Sequence, residues 1–160
     1  MKIYTASSWR NRYYNDVVRR LKEEGFGVYD FRNAISTEGQ KLAFDWSQID
    51  PNWEKWNAEE FLQIMLNSEL AVNAFKSDFK GMQEADLCLL ILPCGKSAHL
   101  EAGYVRGAGK PLYIYMPDLE RPELTYSISS AIFQDLDALI DCLKRQETVD
   151  KLGEPVKEGF

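Results

Sequence analysis

The chain has 160 residues, 45% hydrophobic and 28% charged, which is ordinary globular composition with enough apolar material for one core. Its formal charge is −6 and its pI about 4.9, with no basic run. That excludes duplex nucleic acid as a partner, since phosphate neutralisation needs clustered Lys and Arg. Cys88, Cys94 and Cys142 are odd in number and never at C-x-x-C spacing, which argues against a disulfide framework and a zinc site.

The opening MKIYTASSWR runs straight into a strand. No apolar h-region and no apolar run of about 18 residues is present, so neither a signal peptide nor a membrane span is expected, and the expected location is cytoplasmic. Residues 2–7 read as a first strand. From Asn11 to Glu24, Tyr14, Val17, Val18 and Leu21 recur at helical spacing, and Gly25 supplies a stop. Phe26 to Phe31 read as a second strand, giving a βαβ opening that favours a parallel sheet. Residues 32–52 are polar and long, as expected of a functional loop or lid. Helices are predicted over Glu54–Leu66 and Ser68–Glu84, the second in one piece or in two, with Ser77 as the candidate break.

LCLLILP at 87–93 is a continuous apolar run, the mark of a central parallel strand buried on both faces. The turn CGKS follows at 94–97, then a helix to Ala108 with Ser97 as N-cap, and a strand over 112–117. A polar loop covers 118–130. A short strand at Ala131–Phe133 and a helix over Leu136–Arg145 complete residues 1–146, expected to form one domain. Residues 147–160 are expected to form a loosely held tail. The predicted fold is α/β: a doubly wound, flavodoxin-like or Rossmann-like domain with a five-stranded parallel sheet. Ligands of such folds sit beyond the carboxyl ends of the strands. That rule selects Ser7–Arg12, Cys94–Glu101 and Asp118–Ser130.

Four segments offer chemistry. In CGKSAHLEAGY, Gly95 permits a tight turn, and Glu101 lies one turn beyond Ser97 on the same helix face. A carboxylate near a helix N-terminus is held ionised by the macrodipole, as a nucleophile toward an anomeric carbon must be. Equally, Glu101 reads as a residue that satisfies the helix end. GKS at 95–97 is not a P-loop, because Leu90 stands where the earlier glycine is required. His99, the only histidine, is more often a packing residue at such a position, and without a second one no histidine metal site is supported. Asp78 opens a short helix at the ligand edge if the helix breaks at Ser77; otherwise it is a solvated helix acid. Ser7 and Ser8 at a helix start, with Arg10 or Arg12, suit an anion or phosphate; otherwise Ser8 or Asn11 caps the helix and the arginines are exposed. Trp46, Trp53 and Trp56 suit a stacking lid over a base, although the spacing of 53 and 56 favours packing.

Taken in order, IYTASSWRN, D-x-x-G-M at 78–82, the apolar strand at 85–93 and HLEAGYVRGAGKP at 99–111 resemble the nucleoside 2-deoxyribosyltransferase family over roughly residues 2–145. FDWSQIDP is similar to the mark of a bacterial and phage branch. The resemblance implies Glu101 as carboxylate nucleophile, Asp78 as the acid that orients substrate, and Tyr4 as the tyrosine that positions the nucleophile. It implies a nucleoside or 5′-nucleotide as substrate, no metal or organic cofactor, no membrane partner, and a homodimer or larger homo-oligomer. The loop Pro93-Cys94-Gly95-Lys96 carries no acid where the best-known branch has one. Tyr126 and Ser127 stand in the region of the family's sugar-contacting asparagine. The expected reaction is N-glycosidic cleavage through a covalent glycosyl-Glu101, with deoxyribose passed to another base. The alternatives are hydrolysis of 5′-monophosphates, for which Ser7, Ser8, Arg10 and Ser97 would form the phosphate pocket, and a nucleotide-binding module without turnover.

Overall fold

The computed structural model describes residues 1–118, 121 and 123–152. The chain groups into two compact units: Met1–Tyr29 with the described residues from Glu84 onward, and Asp30–Gln83.

The first unit is built on five parallel strands, β1 (Lys2–Ala6), β2 (Gly27–Tyr29), β3 (Leu87–Ile91), β4 (Leu112–Tyr115) and β5 (Ala131–Phe133), in the order β2-β1-β3-β4-β5. This is the flavodoxin-like doubly wound order. The connections change direction between β1 and β3, which makes that gap the topological switch point. All five residues of β3 are buried, as the continuous apolar run requires. Burying each Leu or Ile there contributes roughly 2 kcal/mol.

Helix α1 (Tyr14–Glu23) buries Tyr14, Val17, Val18 and Leu21, the stripe read from the sequence. Gly25, at φ 87°, turns the chain back toward β2. Helix α5 (Leu136–Leu152) lies beside α1. Arg20 pairs with Asp137 at 2.6 Å and Lys144 with Glu24 at 2.5 Å. α5 continues past the expected boundary at residue 146 through 147–152; the rest of the expected tail, 153–160, lies outside the described residues. Right-handed crossovers place α4 (Lys96–Gly107), which joins β3 to β4, on the opposite face from α1. The central strand is thereby covered on both sides.

The second unit holds helices α2 (Ala58–Asn67) and α3 (Glu69–Glu84), the latter running two turns' worth of chain past Ser77 without a break. Before them, residues 30–57 form three 3-10 turns, Phe31–Asn33, Trp46–Gln48 and Trp53–Lys55, and one isolated bridge between Ile35 and Lys41. The helix expected from Glu54 therefore starts at Ala58. Asn57 ends the extended stretch and caps it: its Oδ1 accepts from the N–H groups of Glu59 and Glu60 (2.9 and 3.0 Å), and the Glu60 carboxylate accepts from Asn57 N–H (2.8 Å). Among the described residues no helix is long and apolar enough to cross a membrane.

Candidate functional site

The switch point is pinned by one residue. Asn11, 3% exposed, directs Nδ2 at Ser7 Oγ, Ile91 O and Pro93 O, each at 3.0 Å. Its Oδ1 accepts from Tyr13 N–H at 2.7 Å. Ser7 Oγ in turn donates to Ile91 O at 2.8 Å. The loops leaving β1 and β3 are thus tied together where a ligand of this fold would sit. The sequence offered Asn11 only as a cap. An Asn placed between a strand and the apolar stripe of the next helix was the available signal.

This network changes the reading of Ser7 and Ser8. Helix α1 starts at Tyr14, so neither serine stands at a helix start. The Ser7 hydroxyl is engaged with the β3 carbonyl, and Ser8 Oγ accepts from Arg10 N–H at 3.2 Å. Arg12 is committed to Asp118, 2.8 Å away, and to the Tyr13 hydroxyl at 2.5 Å; Tyr13 donates to the same carboxylate at 2.6 Å. Tyr13 first, then Arg12, hold the Asp118 carboxyl below its ordinary range. Arg10 remains exposed on the loop.

Helix α4 carries the candidate nucleophile. Its N-cap is Gly95, not Ser97; with φ −91° and ψ −177°, this is extended backbone open to any residue, so no tight turn demands glycine. Nothing lies within 4 Å of where a Gly95 Cβ would be, which leaves open space at the helix start. Ser97 is exposed in the first turn, and Glu101 falls in the second. The macrodipole fades within the first turn, so the helix end does less for the Glu101 charge than the sequence suggested. Ser97 and Glu101 still share a face at i, i+4.

Glu101 is half-buried. Its carboxylate is near enough to the fully buried Cys88 thiol of β3 to push that thiol's pKa further up, after burial itself. Cys88 is the register partner of Tyr4. Partners on adjacent parallel strands project from the same sheet face, so tyrosine, thiol and carboxylate gather over one patch beside the switch point. Tyr4 is 1% exposed and stacks on Tyr29, with ring centroids 5.2 Å apart and planes 9° from parallel.

His99 links α4 to the loop before β5. Nδ1 lies 2.9 Å from Gly95 O, which only accepts, so Nδ1 carries a proton; Cys94 Sγ is 3.6 Å from the same nitrogen. Nε2 then accepts from the Tyr126 hydroxyl at 3.2 Å, and the two rings stack at 5.9 Å. Tyr126 is buried in the 3-10 turn Leu124–Ile128. Its hydroxyl is oriented by His99, a partnership 27 residues apart that sequence spacing did not reveal.

The remaining sites belong to the second unit. Asp78 is half-buried in the interior of α3, whose continuity removes the predicted helix start at Ser77. Trp46 packs edge-to-face on Phe44, Trp56 and Phe61, with centroids 4.9, 5.8 and 5.9 Å away. Among the described residues no group of three or more His, Cys, Asp or Glu is placed to hold a metal ion.

No family model and no curated protein sequence matches the chain. Among solved structures it matches a 2-deoxyribosyltransferase from the psychrotolerant bacterium Bacillus psychrosaccharolyticus. The TM-score is 0.62 at 20% identity, covering 87% of this chain and 90% of that one. The chain has the fold of a 2-deoxyribosyltransferase. At that identity the likeness is one of fold, and it agrees with the α/β architecture read from the sequence. A CMP N-glycosidase from Clostridium botulinum, BcmB, matches with a TM-score of 0.49 at 14% identity, over 90% of this chain and 99% of that one. That likeness is too slight to build on.

Proposed function

We propose that this protein cleaves the N-glycosidic bond of 2-deoxyribonucleosides and passes the sugar to a second base. The observation that carries the reading is Glu101: a half-buried carboxylate on α4 that shares its patch with Tyr4 beside the switch point. The 2-deoxyribosyltransferase fold and the family resemblance support it. A Glu101 oxygen forms a bond to C1′ as the C1′–N bond breaks. The base leaves with the bonding electron pair and takes up a proton. Positive charge on the sugar in the transition state is stabilised by the approaching carboxylate before bonding is complete. A nitrogen of the incoming base then attacks C1′, the C1′–O bond breaks to release the Glu101 carboxylate, and the attacking N–H gives up its proton to water, balancing the proton that the leaving base took from water. Tyr4, buried and stacked on Tyr29, acts as the rigid group that positions the nucleophile. Tyr126, oriented by His99, contacts the sugar.

Nucleosides fit better than 5′-monophosphates. A phosphate pocket in the β1 loop would draw on Ser7, Ser8 and an arginine. The Ser7 hydroxyl is spent on the Ile91 carbonyl of β3, Ser8 Oγ accepts from Arg10 N–H in its own loop, and Arg12 is paired with Asp118. Arg10 and Ser97 alone make a thin anion site. A deoxynucleoside incubated with a foreign base, followed by chromatography, tests the proposal: exchanged nucleoside is expected. Free deoxyribose as the sole product would make the protein a hydrolase, and no base release from any nucleoside would end the proposal.

A further inference from the structure

Three of the four tryptophans line one open cavity of about 330 Å³, walled by Trp46, Trp53, Trp56, Asn57, Ala58 and Phe61. That volume is at the small end of ligand sites. The walls are not parallel. Trp46 meets Trp56 at 80° and Phe61 at 68°, so ring planes turn corners around the cavity. A flat ring gains most between parallel faces, whereas walls at steep angles surround a rounded group. Aromatic faces are the negative ends of the ring quadrupoles and attract cations.

Charge points the same way. Between Asp45 and Phe61 the chain carries Asp45, Asp50, Glu54, Glu59 and Glu60 against Lys55 alone, a formal charge of −4. Asp50 is coupled to the wall directly: its Oδ2 accepts from Trp56 Nε1 at 2.7 Å, and Asn52 N–H donates to Oδ1 at 2.8 Å. Those two bonds hold the Asp50 carboxyl below its ordinary range, led by the Asn52 backbone. An indole that donates to a carboxylate is polarised, which makes its face more negative. A phosphate is repelled by this setting, and a neutral base gains nothing from it.

We infer that the aromatic cavity of Trp46, Trp53, Trp56 and Phe61 is a binding site for a small organic cation of the alkylammonium class. The site lies wholly within the second unit and does not depend on the role of Glu101.

The test uses the full chain carrying Trp9→Phe, so that every remaining tryptophan lines the cavity. Choline and its uncharged carbon analogue, 3,3-dimethyl-1-butanol, are titrated at constant ionic strength while tryptophan emission is followed. Choline is expected to give a saturable change with at least tenfold preference over the analogue. Asp50→Asn is expected to weaken choline at least fivefold. Glu54→Gln, an exposed change that spares the Trp56 contact, is expected to weaken it about twofold. Equal response to choline and the analogue, tighter response to adenine or thymine than to choline, or no saturable response to choline would each overturn the assignment.

Discussion

Residues 87–107 and residues 44–61 both hold side chains in fixed positions, by opposite means. In the first stretch β3 is bonded to β1 and β4 and buried along its length, and α4 follows as a regular helix. Its order resides in main-chain bonds that no single substitution removes. The second stretch has no strand; it is two three-residue turns, the links around them and the first turn of α2. Asp45, Asp50 and Asn57 bond local N–H groups, and rings meet edge-on. Its order resides in individual side chains. A helix carried on a central strand, as in the first stretch, suits a side chain that must be aimed. A cluster of the second kind leaves an open cavity.

The contrast can be broken most sharply at position 101. Glu101→Gln is expected to lower turnover by at least about 1,000-fold, or about 4 kcal/mol of barrier, with the thermal midpoint almost unchanged because β3 and α4 keep their main-chain bonds. Turnover and melting measured on one preparation check both halves. Trp46→Ala removes the ring at the centre of the aromatic cluster and is expected to cost about 3 kcal/mol. Hydrogen exchange should show the loss confined to residues 44–67, with β3 amides as slow as before; equal acceleration in β3 would erase the distinction between the two regions. Asn11→Ala leaves the Ile91 and Pro93 carbonyls short of a donor. It is expected to cost about 2 kcal/mol by denaturant unfolding, with faster exchange at residues 92–95.

The smallest effect is on pH. Asp118 and Asp50 both have folded pKa values below the ordinary 3.8. Their contribution is therefore fully present above that value and is lost as pH falls through the folded pKa. Tryptophan emission should report loss of the Asp50–Trp56 contact only below about pH 4; a transition near neutrality would contradict the assignment.

How much of this was legible follows from the same contrast. The run LCLLI reads as a doubly buried strand because burial on both faces leaves no polar alternation. The stripe Tyr14, Val17, Val18, Leu21 gave α1. The start of α4 was misplaced because Ser97 is a better N-cap type than Gly95, yet the backbone uses the glycine. Trp53 and Trp56 have helical spacing, but Asn57-x-x-Glu60 is a capping pattern that starts the helix after them, and Asp45-x-x-Gln48 is another. Those signals were in the sequence. The Arg12–Asp118 and His99–Tyr126 contacts were not, since partners 106 and 27 residues apart meet only once the sheet order is fixed.

The proposed reaction passes through a bond between a Glu101 oxygen and C1′. Mixing the protein with a deoxynucleoside, quenching in acid within the first turnover and sequencing the digest by mass spectrometry looks for that bond directly. A deoxyribosyl group on Glu101, absent from Glu101→Gln, is the predicted result. A deoxyribosyl group on another residue, or base exchange at full rate with Glu101 unmodified, would contradict it.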